Sequence, residues 1–184
     1  MIECKNIRKS FDGKVVLDHV NLELEDNRIY CLMGPSGRGK TTLLRILADL
    51  ETLDEGHVTG VKGKQISMVF QENRLCEGIT AVENIRLVGC RNPEALLSEI
   101  LPESCLKQPV HELSGGMKRR VAVARAVAAE SNLILMDEPF TGLDEETKRN
   151  VVNFILKYRK GRFLLITTHQ DEDVSLLGAE KILI

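Results

Sequence analysis

The sequence predicts an α/β fold: a mostly parallel sheet flanked by helices, with an antiparallel β portion at the N-terminus and a small helical subdomain inserted midway. Three observations carry this. The runs "IYCLM" (29–33), "ISMVF" (66–70), "LILMD" (133–137) and "FLLITT" (163–168) lack strict alternation, as strands covered on both faces do. Helical segments separate most of them, the alternation that builds parallel sheets. Ahead of them, "IECKNI" and "VNLELE" read as strands, and Val20, Leu22 and Leu24 alternate with polar residues, so an antiparallel, half-exposed beginning is expected.

The helices follow from spacing and end signals. "KTTLLRILADL" places Leu43, Leu44 and Leu47 at helical intervals. Between Gln71 and Leu113 apolar runs vanish and helix starts take over: Thr80 and Glu83 form a T-x-x-E capping box, and Asn92 precedes Pro93 as N-cap before the first helical position. "LPESCLKQPV", with two prolines, reads as an irregular connector. "GGMKRRVAVARAVAAE" is a further helix, another runs from Asp144 to about Tyr158, and "KILI" is a last strand. One domain, 1–184, is therefore expected, with a core over about 1–71 and 113–184 and the helical subdomain over about 72–112.

Composition excludes several classes. With 25 Lys+Arg against 27 Asp+Glu the formal charge is -2, so no broad field draws the chain to nucleic acid or anionic lipid. Cys4, Cys31, Cys76, Cys90 and Cys105 are odd in number and scattered without metal spacing, which suits reduced cytosolic thiols. No apolar run approaches the roughly 20 residues that span a bilayer, and "MIECKNIRKSF" lacks a signal-like apolar segment.

"GPSGRGKT", Gly34 to Thr41, matches G-x-x-x-x-G-K-[ST] between a buried strand and a helix, the context of a P-loop NTPase. Its glycines let backbone N–H groups curl around phosphates at a helix N-terminus, Lys40 reaches the outer phosphates, and Thr41 can ligate Mg²⁺. The binding set is Gly34, Pro35, Ser36, Gly37, Arg38, Gly39, Lys40, Thr41 and Thr42. "LILMDEP" ends a strand in two carboxylates at the edge where open α/β sheets bind ligands. There Asp137 would orient Mg²⁺, and Glu138, on the other side of an extended backbone, would polarise a water as general base. Standing alone, such acids are as readily a solvated loop or a cap. Gln71 and His169 leave two other strands at the same edge. His169 would contact the terminal phosphate and position Glu138 or the water, and Gln71 would complete the metal's coordination. His19, His57 and His111 read as surface residues. Phe11, in "KSFDGK", would stack on a base, a contact contributing roughly 1–3 kcal/mol, or is an ordinary loop or core phenylalanine.

Together these motifs resemble the nucleotide-binding subunit of an ATP-binding cassette (ABC) transporter over nearly the whole chain. Walker A is "GPSGRGKT", the Q-loop residue Gln71, the signature "LSGGM", Walker B "LILMDE", the D-loop "TGLD" and the switch histidine His169. The resemblance implies ATP and Mg²⁺ as ligands and a head-to-tail homodimer or paired cassette. In that pair Ser114, Gly115 and Gly116 close over the ATP held by the partner's Walker A loop. It implies hydrolysis with Glu138 as base, reopening of the pair, and work at the cytoplasmic face of the cell membrane as a peripheral subunit of a permease, with a solute-binding protein and no nucleic acid. "VFQENRLCEGITAVENIRL" is similar to importers of nitrate, sulfonates and taurine-type solutes. There Leu75, Ile79 and Val82 either line a permease groove or form the subdomain's own core. A soluble or envelope-associated cassette doing mechanical work is the alternative. Met117 stands where the family commonly has glutamine, expected to alter rate and not fold. Lys118, Arg119 and Arg120 read as a solvated helix face. The end at Ile184 suggests a compact cassette without a regulatory extension.

Overall fold

The computed structural model describes all of residues 1–184. β1 (Ile2–Phe11) and β2 (Lys14–Leu24) form a hairpin. Asp12 and Gly13, with φ of 49° and 78°, supply the two positive φ values of a tight Asp-Gly turn. β4 (Glu55–Thr59) pairs with the other edge of β1 and completes a three-stranded antiparallel sheet in the order β2-β1-β4. The sequence reading missed β4, because only Val58 in "EGHVT" is even half-buried; backbone pairing holds that strand.

The second sheet comprises β3 (Ile29–Met33), β5 (Ile66–Val69), β6 (Leu133–Asp137), β7 (Phe163–Thr167) and β8 (Glu180–Leu183), all parallel, in the order β5-β6-β7-β3-β8. Strand parity divides its apolar residues between two cores. Cys31, Ile134, Met136, Leu164 and Ile166 face one core; Tyr30, Leu32, Leu133, Leu135, Phe163 and Leu165 face the other. The second face is covered by Leu43, Leu44 and Leu47 of α1 (Lys40–Leu47) and by Ile2, Ile7 and Leu17 of the antiparallel sheet. The first is covered by α4 (Gly115–Ala128) and α5 (Glu145–Tyr158), and the helices of the 72–112 segment, α2 (Ala81–Arg86) and α3 (Pro93–Leu97), pack on α4 within the same core. Two-sided burial is why β3, β6 and β7 read as unbroken apolar runs.

Local signals act as expected at most helix ends. Thr80 Oγ1 accepts from the Glu83 amide at 3.2 Å and Glu83 Oε2 accepts from the Thr80 amide at 2.8 Å. Asp144 caps α5 by accepting from the Thr147 amide at 2.9 Å. Asn92 is a correction: its side chain makes no cap bond, and Pro93 alone marks the start of α3. The connector "LPESCLKQPV" contains a 3₁₀ turn at Glu103–Cys105, and a second, Val110–Glu112, begins at its last residue. α6 (Asp171–Leu177) escaped the sequence reading; it is short, and its first turn of three acids suits the helix N-terminus electrostatically without any apolar periodicity. Val82 is 5% exposed and belongs to the core, with Leu75 packed against it.

Arg119 is the second correction. It is 4% exposed, not solvated. Its guanidinium donates to Phe70 O at 2.6 Å, Gln71 O and Asn73 Oδ1 at 3.3 Å, Glu138 O at 2.6 Å, Pro139 O at 3.2 Å, and Asp137 O. One α4 side chain thus ties the loop after β5 to the loop after β6. The signal was missed because a K-R-R run on an amphipathic helix looks the same whether one member points inward or none does. Arg120 also turns inward, donating to Ile100 O at 2.6 Å. Beyond Asn73, buried Asn84 holds the far end of the same loop, with Nδ2 donating to Cys76 O at 3.0 Å and Thr80 O at 3.1 Å.

Arg119→Met should lower the unfolding free energy by about 3 kcal/mol or more in urea denaturation, since it strands several buried carbonyls at once. Arg119→Lys should recover only part of that, having three donors where the fork uses five N–H groups. The thiols should also separate. Burial pushes Cys31 up to about 12, with Asp173 adding to the rise, and Cys4 up to about 11. Mass spectrometry after iodoacetamide should therefore find exposed Cys76 modified in the native protein, and Cys4 and Cys31 only after unfolding.

Candidate active site

The site is built where β3, β6 and β7 end. From Met33 the chain turns through Gly34–Gly39 into α1, whose N-cap Gly39 has φ 85°. A Cβ there would lie 2.5 Å from Leu17 Cδ2 and 2.8 Å from Val16 O, so only glycine fits. Having no side-chain oxygen, Gly39 leaves the first amides of the helix uncapped. Lys40 is 6% exposed, and its Nζ donates to Gly34 O at 2.7 Å and Pro35 O at 3.0 Å. Burial pushes this amine below its ordinary value, with Glu138 and Asp137 pulling it back up. An ammonium has three donors and here uses two, both on neutral carbonyls. A buried cation so placed calls for an anion.

Asp137, 2% exposed, receives two hydroxyls: Thr41 Oγ1 at 2.7 Å on Oδ2 and Thr167 Oγ1 at 2.6 Å on Oδ1. Thr41 and Asp137 make a hard-oxygen pair of the kind that would suit Mg²⁺. Glu138 departs from the expected extended backbone. Its φ is 48°, and this left-handed turn carries its carboxylate to His169, with Oε1 and Nε2 2.6 Å apart. Thr141 Oγ1 lies 3.4 Å from Glu138 Oε2. The structure therefore brings Lys40, Thr41, Asp137, Glu138 and His169 to one edge.

Other expected residues lie further out. Gln71 is exposed and its side chain makes no bond to Thr41 or Asp137; it lines a cavity of about 260 Å³ with Glu138, Gly115 and Gly116. Phe11, 42% exposed, flanks the hairpin turn with Lys9 Nζ 5.0 Å from its ring centre. Pro35, Ser36, Gly37 and Arg38 form the exposed crest of the loop, and Thr42 is half-buried on α1. Ser114 caps α4, accepting from the Met117 amide at 3.3 Å. Gly115 is exposed, a Cβ on it would meet nothing within 4 Å, and its φ is not positive. Nothing inside this chain requires glycine there. Ser114–Gly116 make no hydrogen bond to residues 34–42, and the cavity that Gly115 and Gly116 line includes none of those residues.

Sequence reading missed a buried lock behind the histidine. Lys148 and Asp173, 5% and 2% exposed, lie 3.1 Å apart; Lys148 also donates to Gln170 Oε1, and Thr168 donates to Asp173. These contacts fix α5 and α6 to the turn bearing His169. Each residue looks like an ordinary helix-surface or strand-end residue until the two helices are brought together.

A family model described as ABC transporter matches residues 17–141. Spermidine/putrescine import ATP-binding protein PotA of Escherichia coli is 32% identical over 206 aligned residues, covering all of this chain and 54% of that protein. Sulfate/thiosulfate import ATP-binding protein CysA of Pseudomonas aeruginosa is 32% identical over 211, covering all of this chain and 63% of that protein. The chain thus spans little more than half the length of these relatives. Among solved structures, the dimeric post-hydrolysis state of the ATP-binding cassette MJ0796 bound to ADP and Pi superposes with a TM-score of 0.87 at 27% identity, over all of this chain and 94% of that one. With the phosphate loop, the paired acids and the histidine at one sheet edge, and with this family model matching most of its length, the chain belongs to the ABC transporter ATP-binding family.

Proposed function

We propose that this chain binds and hydrolyses ATP to power passage of a small solute through a separate transmembrane permease, working as a head-to-tail pair at the cytoplasmic face of the membrane. The observation that carries ATP binding is Lys40, a buried ammonium with a spare donor beside uncapped helix amides. Triphosphate oxygens satisfy both. Thr41 and Asp137 would hold Mg²⁺, which would supply charge neutralisation at the phosphates. Glu138 takes a proton from the attacking water, and His169, on its Oε1, holds the carboxylate in place. Gln71, Phe11 and the loop residues Gly34 to Thr42 complete the nucleotide contacts, Gln71 next to the metal.

The pairing rests on Gly115. Its missing side chain serves no contact within the chain, while an exposed helix start with bare backbone suits an anion brought by a second copy. The dimeric form of the similar cassette supports pairing of two copies. No helix here is long and apolar enough to cross a membrane; in this reading the membrane passage belongs to a permease and solute capture to a solute-binding protein. Relatives named for polyamine and sulfate import support import of a small solute.

Glu138→Gln should reduce steady-state ATPase by at least about a hundredfold, the lower range for losing a general base, while nucleotide binding persists. An unchanged rate would refute the role given to this carboxylate. Light scattering of that variant with Mg²⁺-ATP should show dimers, and monomers at every protein concentration tried would refute the composite pocket.

A further inference from the structure

We infer that Thr167 is a positioning residue that sets both acids at the end of β6 through one hydroxyl. Thr167 is fully buried on β7, in register with Asp137. The Glu138 amide, 2.9 Å from Thr167 Oγ1, can only donate. The hydroxyl therefore accepts there and spends its single proton on Asp137 Oδ1 at 2.6 Å. No other orientation satisfies both partners.

Two consequences follow from that one proton. Asp137 Oδ1 is occupied by a neutral donor within the chain, which fixes the carboxylate plane and turns Oδ2 toward Thr41. The metal-facing oxygen is thus selected by β7, not by β6 alone. The Glu138 amide is anchored at the residue whose φ of 48° is unfavourable for a side-chain-bearing residue, and that turn aims Glu138 at His169. Because a hydroxyl that accepts is a better donor, the two bonds strengthen one another. Valine fills nearly the same volume but leaves the amide and Oδ1 unpartnered in a dry site.

This inference rests on the roles proposed for Asp137 and Glu138, so the test includes Glu138→Gln in parallel. Thr167→Val and Thr167→Ser are compared in the full chain by Mg²⁺-dependent ATPase, by thermal melting, and by fluorescence of a labelled ATP analogue as Mg²⁺ is added from zero. Thr167→Val should lower kcat by at least about tenfold and raise the half-saturating Mg²⁺ in the fluorescence titration several-fold. Binding of the analogue in EDTA should stay within about twofold of the unmutated chain, because Lys40 is untouched; Thr167→Ser should recover most of both losses. A folded Thr167→Val protein with unmutated kcat and Mg²⁺ dependence, while Glu138→Gln is inactive, overturns the role of Thr167 alone. Full activity in Glu138→Gln overturns the general-base role proposed for that carboxylate and this inference with it. If the valine variant melts out, Thr167→Ala read against Thr167→Ser carries the same contrast, and equal rates in that pair also overturn it.

Discussion

A sheet buried on both faces constrains everything polar in this molecule. With β6 and β7 wholly enclosed, the strands have no lateral surface on which to carry a reactive group. Charge can emerge only where they end, and at that edge each polar atom must find a partner or pay for desolvation. The site is the set of solutions to that requirement: an ammonium on two carbonyls, a carboxylate between two hydroxyls, a second carboxylate on an imidazole. What is left unspent, a donor on Lys40 and the uncapped amides after Gly39, points toward the ligand the edge is shaped to hold.

Around this edge, buried charges serve as joints between elements. Arg119 joins α4 to the loops after β5 and β6, and Lys148 with Asp173 joins α5 to α6. Replacing such groups by apolar residues of equal size need not weaken a fold. Removing one partner alone does, which is why these positions connect stability to the geometry of the site. Gly115 lies outside this web, with nothing near the side chain it lacks.

Legibility in the sequence followed the kind of signal. The Gly34–Thr41 loop, the Thr80–Glu83 box and the continuous runs of β3, β6 and β7 were readable because each depends on local residue order. β4 was not, because strand pairing through the backbone leaves no pattern when the side chains face water. Glu138 was assigned to the correct edge with the wrong backbone, since its left-handed turn is anchored by Thr167 on another strand. Arg119 was misread for the same reason: its partners sit on loops about 20 and about 48 residues away in sequence. Spacing places reactive residues at an edge; only the packed chain tells which neighbours aim them.

Five of the six bonds made by Arg119 end on main-chain oxygens, those of residues 70, 71 and 137–139. A joint that grips peptide groups is blind to the side chains they carry. It therefore sets where Asp137 and Glu138 stand without selecting what they are, so placement comes from the guanidinium and identity from the chemistry those two acids perform.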